Sequence, residues 1–322
     1  MQILSIGEVL WDVYDDSREF VGGAPLNVSV HARRLGNSVA LVSAVGKDRR
    51  GELTLEKIRA LDLATDLIQS IPGQATGTAV IEIDANGDAL FTIDRPAAFD
   101  YLSLDDNALA RLQDFAPEWI YYGTLAQTNS NIEQVVNNIV ARFPNAKRFY
   151  DINLRSGHWN LDLVKRLTRL ATTLKINDSE AELLSRMTLG NRPFRLVEFC
   201  EYWSSTYDLE FMCVTLGSQG CAIYNDGTLR TFHGFPVKAV DTVGAGDAFA
   251  AALLHGIAMN WPIDHVANFA NALGALVASR PGATPHWTLP ECLQVIGASQ
   301  ARSDAFLRTA FHRHLDSRGE RE

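Results

Sequence analysis

Runs of apolar residues alternate along most of the chain with segments of helical periodicity. Ile3 to Leu10 is a nearly continuous apolar run that ends near Gly7-Glu8, and Asp12 follows among the aromatics Trp11 and Tyr14. Apolarity without alternation is what a parallel strand covered on both faces presents. Gly22-Gly23-Ala24-Pro25 then leads into a helix over Leu26–Leu35, opened by proline near its first turn and closed by Gly36, with Asn27 on that first turn. Val39–Val45 predicts the next strand, and Gly46–Gly51 a loop into a helix through about Leu61. The order is βαβα.

Between about 64 and 100 the pattern changes. Thr78–Ile83 and Ala89–Ile93 are short β runs joined by Asp84-Ala85-Asn86-Gly87-Asp88, and Asn-Gly between two such runs predicts a hairpin. An antiparallel insertion inside an α/β chain suggests a lid, and Arg95-Pro96-Ala97-Ala98-Phe99 closes it. The alternation then resumes, with strands over Trp119–Tyr122, Arg148–Ile152, Thr173–Ile176 and Phe211–Leu216 and helices near 103–113, 130–142, 161–170, 179–186 and 193–203. A second hairpin, Ala222–Tyr224 with Leu229–Phe232, precedes helices near 246–259, 263–278 and 303–314. This predicts an α/β fold with a mainly parallel sheet covered on both faces and ligands beyond the strand C-terminal ends. No internal repeat or long linker divides it, so one domain is expected over 1–322, with lid segments at about 12–22 and 64–100.

Composition narrows the function. A hydrophobic share of 47% can build a large core, and a formal charge of −9 argues against a nucleic-acid partner. The start lacks a basic leader, and the apolar stretches around 248–259 and 269–278 are too short to span a bilayer, so a soluble cytoplasmic protein without membrane contact is expected. Cys200, Cys213, Cys221 and Cys292 show no metal or redox spacing and read as buried thiols.

The chemistry centres on Asp241-Thr242-Val243-Gly244-Ala245-Gly246-Asp247, which runs into an alanine-rich helix. Its glycines allow close approach of a ligand to the backbone, and the bare amides of a helix start attract phosphate. Asp247 falls in the first helical turn, either as a general base beside that anion site or merely as an N-terminal cap. Further polar groups fall where strands end: Asp151-Ile152-Asn153-Leu154-Arg155, Asn177-Asp178-Ser179-Glu180 and Thr215-Leu216-Gly217-Ser218-Gln219-Gly220. Asn177 and Glu180 suit a water-coordinated Mg²⁺ or a capping box. The Thr215–Gly220 glycines suit a nucleotide or a hairpin turn. There is no Gly-x-x-x-x-Gly-Lys-Ser/Thr loop and no dinucleotide fingerprint, so an anion hole without a P-loop lysine needs another explanation.

Together these motifs resemble the ribokinase/PfkB family of carbohydrate kinases over nearly the whole chain, through Gly22-Gly23-Ala24-Pro25-Leu26-Asn27 near the N-terminus and Asp241–Asp247 near the C-terminus. The resemblance implies a ribokinase-like three-layer α/β/α sandwich with a small β lid and an ATP-dependent sugar kinase. It implies that Asp247 is the catalytic base and that Gly244, Ala245, Gly246 and Asp247 form the anion hole. Asp12, Gly22, Gly23, Asn27, Arg155 and Asp247 itself would hold the sugar; Asn177, Thr215, Gly217, Gly220, Gly244, Gly246 and Asn271 would hold ATP. Glu180 would bind Mg²⁺ through water, and Asp241 and Val243, with the Ser279–Gly282 segment, fall where many members bind a monovalent cation such as K⁺.

Within the family, Gly7-Glu8-Val9-Leu10-Trp11-Asp12 and the Asp151–Trp159 stretch look most like fructokinases and ketodeoxygluconate kinases. Arg155 is compatible with either acceptor, and fructose is the first expectation. 2-Keto-3-deoxygluconate, ribose or a nucleoside on the same scaffold is the alternative, and a catalytically silent sugar-binding regulator is the alternative outside enzymes. The lid's edge suggests a homodimer.

Overall fold

The computed structural model describes residues 1–14, 18–83 and 89–297. The Asn-Gly turn at 84–88 and the helix expected at 303–314 lie outside the described residues. The strands are β1 (Gln2–Ile6), β2 (Leu10–Tyr14), β3 (Glu19–Gly22), β4 (Ser38–Gly46), β5 (Ile68–Ile71), β6 (Gly77–Ile83), β7 (Ala89–Ile93), β8 (Trp119–Gly123), β9 (Lys147–Asp151), β10 (Thr173–Asn177), β11 (Phe211–Thr215), β12 (Gly220–Asn225) and β13 (Thr228–His233). The helices are α1 (Ala24–Arg34), α2 (Arg49–Ala60), α3 (Asp106–Phe115), α4 (Ser130–Arg142), α5 (Leu161–Leu170), α6 (Asp178–Leu189), α7 (Leu196–Tyr207), α8 (Ala245–Ala258), α9 (Ile263–Ala278) and α10 (Leu289–Gly297).

The large sheet has the order β13-β12-β11-β10-β9-β8-β1-β4-β5. It is parallel from β11 to β5; only β12 runs against it, and β13, antiparallel to β12, runs with the rest. Parallel strands need crossover connections, and the helices that make them cover both faces. One face packs on α1, α8, α9 and α10, through residues such as Val28, Ala252, Phe269 and Cys292. The other packs on α3 to α7, through residues such as Leu112, Ile139, Leu167, Leu184 and Trp203. The expected three layers are present. Strand order reverses beside β1, which has β8 on one side and β4 on the other. Such a switch point opens a crevice beyond the strand ends, where ligands bind in sheets of this kind.

A second sheet, β3-β2-β6-β7, lies over that crevice. Three expectations change here. Ile3–Leu10 is not one strand: β1 stops at Ile6, the chain turns through Gly7-Glu8-Val9, and Leu10 begins β2 in the other sheet. Apolar content cannot register this break, because Leu4 and Ile6 before it and Val9, Leu10 and Trp11 in and after it are all buried. The lid is also mixed rather than purely antiparallel, since β2 pairs with β6 in parallel. Within 64–100, β5 belongs to the large sheet beside β4, and only β6 and β7 belong to the lid. The short strands β3 and β5 and the helix α10 were not legible as elements. In β5, only Ile68 of Ile-Gln-Ser-Ile is buried, too little to make a pattern.

Helix α8 is buried nearly all round, from Asp247 to Gly256. A helix apolar on every side belongs inside a protein. Its N-terminus is therefore fixed by packing at the floor of the crevice, with little freedom to move. No helix among the described residues is long and apolar enough to cross a membrane.

Candidate active site

A cavity of about 290 Å³ lies between the two sheets, walled by Glu8, Leu10, Asp12, Gly23, Ala24, Asn27, Ala79, Phe91, Ile93, Leu125, Asn153, Arg155, Thr242, Val243, Gly244, Gly246 and Asp247. The lid supplies Leu10, Asp12, Ala79, Phe91 and Ile93 as a mostly apolar roof. The strand ends and the starts of α1 and α8 supply the polar floor. Of the residues expected to hold sugar, Asp12, Gly23, Asn27, Arg155 and Asp247 all meet here. Gly22 stands just behind them. A Cβ at this position would overlap the Asp12 carboxylate, so glycine is what lets Asp12 turn into the cavity.

Asp247 is the third residue of α8 and is 9% exposed. Its side chain does not cap the helix: the N-cap is Gly244, whose φ of 81° is left-handed, and no side chain bonds to the free amides. The capping alternative for Asp247 therefore fails. Instead its Oδ2 accepts a 2.8 Å hydrogen bond from Asn27 Nδ2 on α1. Among the described residues no donor reaches Oδ1. The Ala245 amide turns back to Thr242 O at 3.2 Å, while the Gly246 and Asp247 amides find no acceptor among the described residues. Asn27 Oδ1 is also buried without a partner. A buried carbonyl oxygen of this kind needs a donor, and a sugar hydroxyl would be one.

Electrostatics in the cavity are one-sided. Burial pushes the Asp247 carboxyl up to about 6, against the Asn27 hydrogen bond that lowers it; Asp151 raises it further, and Lys175 and Arg155 lower it. Burial raises Asp12 to about 7, helped by Asp247. Burial likewise raises Glu8 to about 7, with Arg155 among the groups opposing it. Three carboxyls thus face one guanidinium. Arg155 stacks over the Phe91 ring of β7 at 4.3 Å and donates to Asn153 Oδ1 at 2.6 Å, so it links the strand-end loop to the lid.

Two groups in and under this site were not singled out from the sequence. Glu8 joins the cavity because the chain turns between β1 and β2. Lys175, on β10, lies beneath the first turn of α8 and pairs with Asp151 at 2.8 and 3.0 Å. A lone lysine inside the apolar run Thr173–Ile176 was the available signal for the second.

Val243, Gly244 and Gly246 also line the cavity, and the other expected residues lie outside it. Asn177 and Glu180 form a capping box: Asn177 Oδ1 accepts from Glu180 N at 2.8 Å, and Glu180 Oε2 accepts from Asn177 N at 3.0 Å. Glu180 Oε1 also accepts from Leu154 N at 2.6 Å. Both carboxylate oxygens are thus engaged. No group of three His, Cys, Asp or Glu side chains able to hold a metal occurs among the described residues. Asp241 accepts from Val243 N and Gly282 N, each at 3.0 Å, and from Tyr14 Oη at 3.2 Å. Thr215 ends β11, and Gly217 opens the single turn that follows. Gly220 lies where a Cβ would strike Phe232 O, so the hairpin itself requires it. Asn271, on α9, donates to His233 O at 3.2 Å.

The family model described as pfkB family carbohydrate kinase matches residues 3–290. The chain belongs to that family. A curated relative named probable fructokinase-2, from Arabidopsis thaliana, is 30% identical over 88% of this chain and 92% of its own. A fructokinase from Klebsiella pneumoniae is 28% identical over 88% and 94%. Among solved structures, a fructokinase from Xylella fastidiosa with bound ATP superposes with a TM-score of 0.79 at 24% identity, covering 92% of this chain and 98% of that one. This carbohydrate kinase accordingly has the ribokinase-like α/β/α fold with its lid.

Proposed function

We propose that this pfkB-family kinase transfers the γ-phosphate of ATP to a hydroxyl of a neutral ketohexose, fructose first. The observation that carries the reading is the Asp247 carboxylate, lining the cavity at the start of α8 and held by Asn27 through Oδ2, with no donor to Oδ1 among the described residues. Asp247 would accept the hydroxyl proton as the sugar oxygen bonds to phosphorus. The bond from that phosphorus to the bridging oxygen breaks, and ADP leaves. The Gly246 and Asp247 amides, with the helix dipole behind them, would meet the negative charge that develops. Asp12, Asn27 and Arg155 would hold the sugar, and Gly23 leaves room for it. The roof of Leu10, Ala79, Phe91 and Ile93 would exclude water and limit wasteful hydrolysis.

The nucleotide would lie on the far side of the α8 N-terminus, along the 215–220 turn, with Asn271 and Asn177 toward it. Glu180, whose carboxylate oxygens already accept from Asn177 N and Leu154 N, would hold Mg²⁺ through water, and the ion would offset phosphate charge. A monovalent ion at the 241–243 and 279–282 segments would rely on backbone carbonyls, since the Asp241 carboxylate already has three donors.

Charge favours fructose over 2-keto-3-deoxygluconate. A carboxylate-bearing acceptor would enter a cavity with Glu8, Asp12 and Asp247 on its walls and only Arg155 to oppose them. The relatives named fructokinases point the same way. ADP release with Mg-ATP, measured across fructose, glucose, ribose, 2-keto-3-deoxygluconate and adenosine, tests it. Fructose should give the highest kcat/KM. A higher value for the acid overturns the substrate, and release stimulated by none of them overturns the kinase reading for this set. We also propose a homodimer through the lid, whose outward face carries the exposed Val80 and Leu90. Light scattering should then give twice the 35.5 kDa chain mass.

A further inference from the structure

Lys175 is a buried lysine in a place where a lysine is costly. Its side chain is 8% exposed, and that of its partner Asp151 is 1% exposed. Taking such a pair out of water often costs more than its attraction returns. The ammonium also lies under the start of a helix, where the dipole is positive and a cation is unfavourable. Built on Gly246, a Cβ would come within 3.7 Å of Nζ and meet nothing nearer, so the first turn of α8 rests directly on the ammonium. The Asp151 carboxylate takes two contacts from Nζ and a 3.2 Å hydrogen bond from Tyr121 Oη. Among the described residues no second acceptor is found for Nζ. Burial alone would lower the lysine's pKa, but Asp151, with Asp247 and Glu180 adding to it, leaves it raised, so the charge is kept.

We propose that Lys175, anchored by Asp151, is the fixed cation of the phosphoryl site, doing from beneath α8 what a P-loop lysine does in nucleotide kinases that carry one. This rests on the reading of the α8 N-terminus as the place of phosphoryl transfer. During transfer the acceptor proton goes to Asp247, the sugar oxygen bonds to phosphorus, and the bond to the leaving ADP breaks. The ammonium neither gains nor loses a proton. It offsets negative charge on the transferring group that the amides alone would carry, in a site with little water to screen it. The competing explanation is that Lys175 only neutralises Asp151 inside the fold.

The charge-neutral double variant Lys175→Met/Asp151→Asn separates the two. The unmodified protein is first shown to release ADP with fructose; no release there is failure of the functional reading, not of this inference. If the inference holds, the double variant melts within a few degrees of wild type and keeps its KM for fructose, yet loses about 10²-fold or more in kcat. The acidic limb of its pH profile stays in place, because the opposing influences of Lys175 and Asp151 on Asp247 leave together. Recovery of kcat to within about threefold overturns the proposal. Should the double variant not fold, the single variants decide. Asp151→Asn keeps the ammonium and should retain at least about tenfold more turnover than Lys175→Met, whereas equal losses make the pair merely structural.

Discussion

Asn27 Nδ2 and Asp247 Oδ2 lie 2.8 Å apart, although 220 positions separate them in the chain. This bond joins the first turn of α1 to the first turn of α8 and so couples the two glycine-bearing motifs into one site. It also orients the carboxylate, since one oxygen is taken and the other is left for the cavity. Asn27 Oδ1, buried and unpartnered, lies at the same place.

Replacing Asp247 by Asn should lower kcat at least about 10²-fold, with fold and ATP affinity retained. The same change should raise the melting temperature of the ligand-free protein at pH 8. The folded pKa of about 6 lies above the unfolded value of about 3.9. Stability from the protonated carboxyl is therefore present below about 4 and lost as pH rises through about 6. An amide has no charge to bury. Steady-state kinetics and thermal melts at pH 5 and pH 8 check both parts, and near-normal turnover would remove Asp247 as the base.

Activity should fall as pH drops through about 6, because a base must be ionised to accept a proton. Glu8 and Asp12 titrate beside Asp247, so the limb of the kcat profile belongs to the set of carboxyls. Asn27→Ala removes the hydrogen bond that lowers the Asp247 pKa and should move this limb to higher pH. A limb that stays put in this variant argues that another group limits the rate.

Gly22→Ala should damage the sugar side alone. Its Cβ would displace the Asp12 carboxylate from the cavity wall. We expect the KM for sugar to rise about tenfold or more, corresponding to loss of a hydrogen bond to a charged group of roughly 1.5–3 kcal/mol. The KM for ATP should not change. A parallel rise in both would point to a general disturbance of the fold.

Phe91→Ala removes the ring under Arg155 and opens the roof. A cation–π contact of about 0.5–2 kcal/mol predicts a sugar KM about 2- to 30-fold higher. ADP release in the absence of sugar should also increase, because water enters more freely. Unchanged background hydrolysis would mean that the roof does not exclude the attacking water.

Much of this was legible in the chain itself. Local rules bring Gly22–Asn27 and Asp241–Asp247 to helix starts, and the alternation of apolar runs with helices specifies a covered parallel sheet. Those signals depend on near neighbours only, so a sequence carries them. The same is true of the capping box at Asn177 and Glu180, one of two readings that their spacing allows.

Other features exist only once the chain is folded. The break at Gly7-Glu8-Val9 sends one apolar run into two sheets and puts Glu8 in the cavity, and nothing in its hydrophobicity marks the turn. Whether Asp247 caps its own helix or faces a ligand depended on Asn27 arriving from α1. Lys175 is a single charge in a strand until parallel pairing sets Asp151 opposite it and α8 above it. Sequence periodicity reports which residues avoid water. Which polar groups then meet, and so which carboxyls keep their protons, is decided by long-range packing in a medium that screens charge poorly.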